Sequence, residues 1–389
     1  MAKPSSPRAP ATAGACSARG EGESGDRTPT TVAALPCESR KSPGPGVSGG
    51  RTVGLWWGKA LDAARIDGAG LRADYTRQRR IVARYRPSAY LATRLLVRPE
   101  QLPHLLAVTA FMHLSDNLLD SGPRAERAAA FARWATQVRE GMAGGTVEHP
   151  DLRALVHTMS VHPPLRTYVT DFLAAAPADL DFAGFATEAD YQSYIDAYVL
   201  PAFLLIAGLL TGEDTPAGYR EACRTYIDGS QRLDFANDIA EDLAEGRLNL
   251  PQETLDAFAV TRADLESAHD TPGTRALLAH VLGQARESLA AGRPLADLVP
   301  PDGRPLFRAM IGVEDLTAEA ALAKGAALLR GPARPPLPST LKLLFRERAR
   351  AKRSAVKTEN ETGTENETET ESGTGTETGT VGSRGGARP

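Results

Sequence analysis

Two acidic runs, far apart in the chain, contain the residues whose types and spacing could do chemistry. The first ends the segment Leu105–Asp120, which is apolar on every side up to Leu114 and therefore predicts a buried helix. Asp116 and Asp120 lie four residues apart, and so on one helix face. A buried carboxylate costs several kcal/mol unless something compensates it. Mg²⁺ would do so, since it binds one or two carboxylates together with waters and substrate phosphates.

The second run lies in the sequence NDIAEDLAEGRLNLP, residues Asn237–Pro251. At about 100° per residue, one helix face would collect Asp234, Asp238, Glu241 and Glu245, with Asp242 at its edge. The solvated face of an amphipathic surface helix would give the same pattern. A bound cation is favoured by two facts: Arg232 is the only cation between Gln231 and Gly246, and like charges four residues apart repel.

The elements that must position these residues are helices. Helical periodicity continues through almost all of the chain after Leu71, and the alternation typical of strands is nearly absent. The predicted helices span residues 71–84, 88–97, 100–120, 124–143, 165–175, 188–211, 216–245, 274–291, 305–328 and 338–352. The pattern predicts an all-α fold in which the two acidic helices face each other across a cavity in a helical bundle.

The two ends of the chain differ in composition from its middle. Residues 1–52 are rich in Pro, Ser, Gly, Ala and Arg and lack apolar periodicity, while residues 354–389 are an acidic low-complexity run. Both are predicted to be disordered, as a leader and a tail of a single helical domain over residues 53–353. The leader contains no apolar segment of signal-peptide length, so secretion is not expected.

Composition narrows the class of protein. A net charge of −3, with 42% hydrophobic and 24% charged residues, is typical of a globular enzyme and gives no basis for nucleic-acid binding. Cys16, Cys37 and Cys223 have no spacing for zinc or for a disulfide in the core, so a cytoplasmic location is expected. The apolar run Val199–Leu210 is too short to span a bilayer and predicts a buried helix. The basic segment Leu341–Arg353 is either a helix resting on an anionic membrane or a solvated helix end.

Both acidic runs resemble the motifs of the squalene/phytoene synthase family, and the resemblance is clear over residues 80–255. Asp116 and Asp120 match the family's first Asp-x-x-x-Asp motif. The second motif, with its Gly-Arg-x-x-x-Pro extension, is matched by Asp238, Asp242, Gly246, Arg247 and Pro251. This second motif is the specific signal, whereas the first alone would be weak.

Three further matches lie outside the acidic runs. Gln231 and Tyr194 occupy positions where the family has Gln and Tyr. The sequence SAYLATRLL, residues Ser88–Leu96, is similar to the family's Ser-Phe-x-x-Ala-x-x-Leu-Leu entry helix and contains Tyr90. The resemblance implies a single-domain helical bundle of the class I isoprenoid (terpenoid) synthase type around an apolar cavity.

The resemblance also implies a reaction, cofactors and site residues. Family members join two prenyl diphosphates head to head and require Mg²⁺; squalene formation also needs NADPH, which this sequence leaves undecided. The implied catalytic residues are Asp116, Asp120, Asp238 and Asp242. Candidate metal ligands are these four with Asp234, Glu241 and Glu245. Candidate substrate-binding residues are Tyr90, His113, Tyr194, Phe203, Gln231, Asn237 and Arg247.

The chain departs from the family pattern at cations and glycines. His113 stands where the family has Arg, as either a protonated cation or a neutral core histidine. Asp234 and Asn237 replace the Asn and Arg that precede the second motif. Leu200 and Phe203 replace two glycines of the pocket helix. Pro201, between them, predicts a kink and with Phe203 a narrower cavity, unless small residues elsewhere keep its volume.

Two alternatives to the head-to-head reaction remain open. Asn237, Glu241 and Glu245 resemble the Asn-Asp-x-x-Ser-x-x-x-Glu metal triad of class I terpene cyclases, with Glu241 in place of Ser. That similarity implies an enzyme that cyclises one prenyl diphosphate. The loss of two expected arginines is consistent with a paralogue that binds prenyl diphosphate or a partner subunit without turnover. All four motif aspartates are kept, which speaks against it.

Overall fold

The computed structural model describes residues 50–120, 123–182, 184–211 and 215–353. Within these ranges the side chains of residues 50–54, 120 and 181 are not described. Nearly all of the predicted leader and the whole predicted tail lie outside the described residues, so their disorder stays a prediction. The first described helix begins at Gly50, close to the predicted start of the domain.

The described part of the chain is built from α-helices and contains no strand. In chain order the helices are α1 Gly50–Ala63, α2 Ala69–Tyr85, α3 Pro87–Leu96, α4 Leu102–Asp120, α5 Arg124–Gly144, α6 Pro150–Val161, α7 Leu165–Ala175, α8 Glu188–Tyr194, α9 Leu200–Thr211, α10 Tyr219–Asn237, α11 Ile239–Ala244, α12 Gln252–Ala257, α13 Arg262–Glu266, α14 Pro272–Gly292, α15 Leu295–Leu298, α16 Arg304–Lys324 and α17, residues 337–353. Short 3₁₀ helices span Ala176–Asp181 and Gly325–Arg330. The all-α prediction is confirmed.

The predicted helix over residues 216–245 is two helices in the structure. Helix α10 ends at Asn237 and α11 begins at Ile239, with Asp238 between them at φ −93° and ψ 9°. These angles lie in the sparsely occupied bridge region, where active-site residues are common. The hydrogen bonds Asp238 N–H to Asp234 O and Asp242 N–H to Asp238 O continue across the break. The acidic stripe therefore bends at Asp238, which periodicity alone could not indicate.

The predicted helix over residues 188–211 contains a wide turn. A π turn, Ile195–Val199, joins α8 to α9, and the Leu200 N–H donates to Ile195 O. Pro201 follows and has no N–H for the regular ladder, so a wider turn accommodates it without ending the helix. The expected distortion is thus located in the turn just before the proline.

This combined helix, Glu188–Thr211, has the length and apolar composition of a membrane span, with a mean hydropathy of 1.8 in its most apolar window. However, 83% of that window is buried inside the protein. A buried core helix has the same composition, and the sequence prediction of a buried helix agrees with this placement.

Helix α10 approaches α14 closely because two glycines lie at the contact. A Cβ placed on Gly229 would lie 2.6 Å from the backbone nitrogen of Leu289 and 2.9 Å from the carbonyl oxygen of Ala285. A Cβ on Gly292 would lie 2.7 Å from Tyr226 Cα. All three neighbouring atoms belong to the backbone, so side chains cannot relieve such an overlap. The glycines therefore fix the position of the helix that leads to Asp238.

Replacing Gly229 by alanine is expected to destabilise the fold, by about 1–3 kcal/mol, because the added methyl group overlaps packed backbone. Thermal or chemical denaturation measures the change. Gly283→Ala in α14 is the matched control, since its Cβ would meet open space and alanine favours a helix by about 1 kcal/mol. Equal stability of the two variants would contradict the close approach.

A buried polar network fastens α8 to α10. The guanidinium of Arg232 bonds to the Asp228 carboxylate at 3.2 Å and to Glu188, and it lies 4.2 Å from the ring centre of Tyr191. The Tyr191 hydroxyl donates to the Asp228 carbonyl at 3.0 Å, and Ser288 of α14 donates to the Asp228 carboxylate at 2.6 Å. Arg232 is therefore occupied by this network, away from the acidic motifs.

Candidate active site

Asp116 lies near the end of α4 and is 6% exposed. Its Oδ1 accepts a long hydrogen bond, 3.4 Å, from the Tyr198 hydroxyl of the π turn, while its Oδ2 is buried without a hydrogen-bond partner. Burial raises the pKa of Asp116 to about 7; the charge of Arg86 opposes the rise and that of Asp179 adds to it. A buried carboxylate oxygen without a donor is a suitable ligand for a cation.

The second motif supplies two more buried carboxylates. Asp238 is 3% exposed, and burial, followed by the charges of Glu241 and Asp242, raises its pKa to about 7. Asp242 is 1% exposed and accepts from Asn249 Nδ2 at 2.6 Å, with Arg247 Nη2 at 3.6 Å. A solvated acidic face is therefore wrong for these two aspartates.

Asp234 extends this acidic group toward α16. It is half-buried, and its Oδ2 is buried without a hydrogen-bond partner. Burial and the charges of Asp238 and Glu314 raise its pKa well above the usual value. Glu314 is itself buried, accepts from Ser230 Oγ at 2.7 Å, and has a pKa of about 7 because of burial. No spacing or motif in the sequence connects Glu314 to this group.

Arg86, between α2 and α3, lies within electrostatic reach of both acidic runs. Its positive charge opposes the pKa rise of both Asp116 and Asp234. Its neighbour Tyr85 packs against His113 of α4, with ring centres 4.7 Å apart, one helical turn before Asp116. The charge of Arg86 thus acts on one carboxylate of each acidic run. Sequence analysis missed Arg86, although it lies two residues before the segment that resembles the family's entry helix.

A further carboxylate, whose charge acts on Asp116, comes from the 3₁₀ helix Ala176–Asp181. Burial raises the pKa of Asp179, and the charges of Arg247 and Arg127, together with a hydrogen bond from Tyr194, oppose the rise. Asp179 therefore links the first motif to Arg247 of the second. No sequence feature indicated it.

Glu241, Glu245 and Arg247 form the outer part of the group. Glu241 is half-buried; burial and the charge of Asp242 raise its pKa, and Arg334 opposes the rise. Glu245 is exposed and forms an ion pair with Arg247 Nη2 at 2.8 Å. Glu245 is therefore the residue of the predicted acidic stripe that faces solvent.

Asn237 and His113 have well-defined partners. Asn237 Oδ1 accepts from the Ala333 N–H at 2.8 Å, so the amide oxygen that a metal triad would use is already engaged. His113 is buried, packs against the Tyr85 ring at a tilt of 33°, and lies 3.2 Å through Nε2 from Asn117 Nδ2. Of the two alternatives for His113, the contact with Asn117 favours a hydrogen-bonded core histidine.

The aromatic candidates take different places. Tyr194 packs against Tyr198, with ring centres 5.4 Å apart, beside the carboxylates. The Tyr90 hydroxyl instead accepts from Arg79 Nη1 at 3.3 Å. Phe203 is fully buried, 5.4 Å between ring centres from Tyr226.

Two predicted positions remain. Gln231 is buried on α10, one turn before Asp234. Asp120 is the last residue of α4, but its side chain lies outside the described residues, so its role stays a prediction.

The donor set suits a cation that shares its coordination with a ligand. Among the described side chains, no group of three or more His, Cys, Asp and Glu is arranged to hold a metal ion by itself. Mg²⁺ does not need such a group, because it usually binds one or two carboxylates and completes its shell with waters and phosphate oxygens. The unpartnered Oδ2 atoms of Asp116 and Asp234 are available for this role. The residues present therefore fit Mg²⁺.

The described helices, with buried aspartates on separate helices, form the class I terpenoid synthase fold. Solved structures have the same fold. The crystal structure of squalene synthase HpnC from Alicyclobacillus acidocaldarius superposes with a TM-score of 0.60 and 25% identity, covering 69% of this chain and 99% of that one. A dehydrosqualene synthase in complex with ligand superposes with a TM-score of 0.65 and 20% identity, covering 75% and 99%.

The family model of squalene/phytoene synthases matches residues 82–340, and the chain belongs to that family. Phytoene synthase 3, chloroplastic, of Zea mays is 26% identical over 240 residues, which cover 58% of this chain and 54% of the maize protein. The 15-cis-phytoene synthase of Synechococcus elongatus is 27% identical over 232 residues, covering 56% and 74%. The chain thus spans about half the length of the maize relative.

Proposed function

We propose that this protein is a Mg²⁺-dependent prenyltransferase that condenses two prenyl diphosphates head to head and releases diphosphate, in terpenoid or carotenoid biosynthesis. One observation carries the proposal: the charge of Arg86 acts on buried Asp116 of the first motif and on Asp234, one helical turn before buried Asp238 of the second. Such a site suits a substrate that brings both negative charge and metal ions, because each neutralises the other.

Each residue of the site has a role in this proposal. Asp116, Asp238 and Asp242, together with Asp120, would hold Mg²⁺, and Asp234 would extend the ligand set. Bound Mg²⁺ supplies charge that stabilises the departing diphosphate. Arg86 and Arg247 would contact diphosphate oxygens, since a guanidinium matches phosphate geometry.

The aromatic residues beside the carboxylates suit the apolar part of the substrate. Tyr194 and Tyr198 would border the allylic end of the prenyl chain, where ionisation creates positive charge. Aromatic faces attract such a charge and exclude the water that would quench it. Phe203, deeper in the core, would limit the length of the chain.

The cyclase alternative is weakened by the placement of Asn237. A metal triad needs the amide oxygen of Asn237, which accepts from Ala333, and the carboxylate of Glu245, which pairs with Arg247. The buried oxygen of Asp116 that has no hydrogen-bond partner argues for a bound cation, which a paralogue that binds without turnover would share, so diphosphate release separates the two.

The test incubates the purified protein with farnesyl or geranylgeranyl diphosphate, with Mg²⁺ or EDTA, and with or without NADPH. Diphosphate release and the mass of extracted products are measured. A Mg²⁺-dependent product with the carbon count of two substrates, as a hydrocarbon or as its cyclopropyl diphosphate, is expected. A product with the carbon count of one substrate would establish cyclisation instead, and absence of release would establish a protein without turnover. The NADPH arms decide whether reduction follows condensation.

Replacing Arg86 by methionine is expected to raise KM for the prenyl diphosphate by about 10–100-fold, because a hydrogen bond to a charged group is worth roughly 1.5–3 kcal/mol. Steady-state kinetics measures the change. Arg84→Met, at an exposed position of the same helix end, is the control, and its KM should stay close to that of the wild type. Unchanged KM in Arg86→Met would remove Arg86 from the site.

We also propose that α17 rests on an anionic membrane at the cytoplasmic side. Its inner face is buried through Leu343 and Leu344, whereas Phe345 is 58% exposed. Exposed cations accompany Phe345 on the outer side: Lys342, Arg346, Arg350, Lys352 and Arg353. An apolar side chain among cations is typical of a helix that lies at a membrane interface.

Co-sedimentation with vesicles tests the membrane contact. Binding to vesicles that contain phosphatidylglycerol, and weaker binding to phosphatidylcholine vesicles, is expected, since each cation near an anionic surface contributes about 1 kcal/mol. Phe345→Ser should weaken the binding, while Leu55→Ser, at an apolar position on α1 that is 71% exposed, should not. If equal amounts of protein sedimented with both kinds of vesicle, α17 would be a solvated helix end and not a membrane contact.

A further inference from the structure

The segment Gly331–Pro336, here called the strap, joins the 3₁₀ helix Gly325–Arg330 to α17 and lies against the second acidic motif. Its residue Ala333 is buried and paired with the side chain of Asn237. Asn237 Oδ1 accepts from the Ala333 N–H at 2.8 Å, and Asn237 Nδ2 donates to the Ala333 carbonyl at 3.3 Å. The same Nδ2 lies 3.2 Å from Asp238 Oδ1. One amide thus joins the strap to a motif aspartate.

A second side chain fastens the strap from another helix. Lys324 Nζ, at the end of α16, donates to the Gly331 carbonyl at 2.6 Å and to the Pro332 carbonyl at 2.8 Å. Three successive residues of the strap are therefore held by side chains of α10 and α16. Gly331 has φ 143°, a conformation that L side chains rarely adopt, so the strap enters this position through a turn that favours glycine.

The fastened strap brings a positive charge to the acidic site. Arg334 follows Ala333, and its charge opposes the pKa rise of Glu241. Position 237 itself carries an uncharged amide, where the resemblance to the family predicts arginine. The amide of Asn237 offers a donor and an acceptor side by side, which match the C=O and N–H of one residue, whereas an ionised carboxylate offers acceptors alone.

We propose that Asn237 is a positioning residue that fastens the strap over the second acidic motif, with Lys324 as its partner, and so sets the affinity for the diphosphate group. The inference rests on the proposed function for its kinetic part. When the strap is held, the Asp238 carboxylate keeps its orientation through the amide of Asn237. When it is released, Asn237 no longer fixes that carboxylate, and diphosphate with its metal ions binds less tightly.

Hydrogen exchange measured by mass spectrometry tests the fastening without any catalysis. In the strap only Gly331, Ala333 and Arg334 carry a backbone amide proton, because the other three residues are proline. In Asn237→Ala the exchange of this segment is expected to rise by about tenfold, since the Ala333 amide loses its acceptor. Asn237→Asp keeps an acceptor and should show a smaller rise. Unchanged exchange in Asn237→Ala would overturn the proposal.

Kinetics tests the consequence for the reaction. Asn237→Ala and Lys324→Met are each expected to raise KM for the prenyl diphosphate and the Mg²⁺ concentration for half-maximal rate by about tenfold, with a smaller change in kcat, because the strap acts on binding. Gln252→Ala and Lys59→Met remove an amide and an ammonium group at exposed positions and are the controls. Faster exchange with unchanged KM would show a strap without a role in binding.

A third measurement separates failure of this inference from failure of the proposed function. Exchange of the wild-type strap is compared with and without Mg²⁺ and inorganic pyrophosphate. Protection in the wild type that is lost in Asn237→Ala supports the strap as part of a diphosphate site, even if no prenyl substrate is turned over. Absence of protection in the wild type would overturn the role in binding, whatever the activity.

Discussion

Replacing Asp238 by asparagine is expected to lower kcat/KM by about 10³-fold, which corresponds to roughly 4 kcal/mol of lost transition-state stabilisation. The side chain keeps its shape and its place beside Asn237 but loses the charge that would hold Mg²⁺. Asp116→Asn should have a similar effect, because Asp116 supplies the buried carboxylate of the other acidic run. Diphosphate release under saturating Mg²⁺ measures both variants.

Whereas the activity of Asp238→Asn is expected to fall, its stability is expected to stay the same or to rise. The folded-state pKa of Asp238 is about 7, above the ordinary value of 3.8, because the charged form is buried beside other carboxylates. The ionised group therefore opposes folding, and its cost is fully present above about pH 7 and disappears as the pH falls through the ordinary value. In metal-free buffer at pH 8 the variant should be at least as stable as the wild type.

The control for Asp238→Asn is Glu266→Gln, which removes an exposed carboxylate that pairs with Arg262 on α13. Its activity and stability should both stay close to those of the wild type. Full activity of Asp238→Asn would show that the second motif does not hold the metal. Loss of activity together with loss of stability would instead identify Asp238 as a structural residue.

Replacing Phe203 by alanine is expected to reduce the free energy of unfolding by about 3–5 kcal/mol, the usual cost of removing a buried phenyl ring. Phe203 is 0% exposed and packs against Tyr226 and Phe307, with ring centres 5.4 and 6.3 Å away. Alanine is preferable to glycine for this test, since glycine inside a helix adds about 1 kcal/mol of its own cost. Chemical denaturation measures the loss.

The same variant tests the role of Phe203 in substrate choice. If the ring limits the cavity, the space it leaves should admit a longer prenyl chain, and kcat/KM for geranylgeranyl relative to farnesyl diphosphate should rise. Phe345→Ala, which truncates an exposed phenyl ring on α17, is the matched control and should change neither stability nor preference. A destabilised variant with unchanged preference would make Phe203 a core residue only.

Sequence patterning was sufficient for the helices that carry the motifs. Helix α4 was predicted because it is apolar on every side before Asp116, and α10 because its carboxylates repeat at helical spacing. The break at Asp238 could not be predicted, since the hydrogen bonds on either side continue and the residue differs only in its backbone angles. Helix α6 was missed, although it begins with Pro150 after the cap residue His149.

Only part of the candidate site could be predicted from the sequence, and the reason is physical. Motif spacing identifies residues that neighbour one another along one helix, such as Asp238 and Asp242. It cannot identify Arg86, Asp179 or Glu314, which reach the same place from three other elements. Asn237 was predicted as a ligand from its position in a motif, whereas its contact with Ala333 depends on a segment far along the chain.

The π turn Ile195–Val199 has a consequence for comparing this chain with others. Such a turn accommodates one residue more than a regular turn, so every later side chain is rotated by about 100° relative to an uninterrupted helix. A homologue that crosses this point with regular turns would have its equivalent of Phe203 at the neighbouring alignment column. An alignment with such a homologue needs a one-residue gap in this helix before its glycines are compared with Phe203.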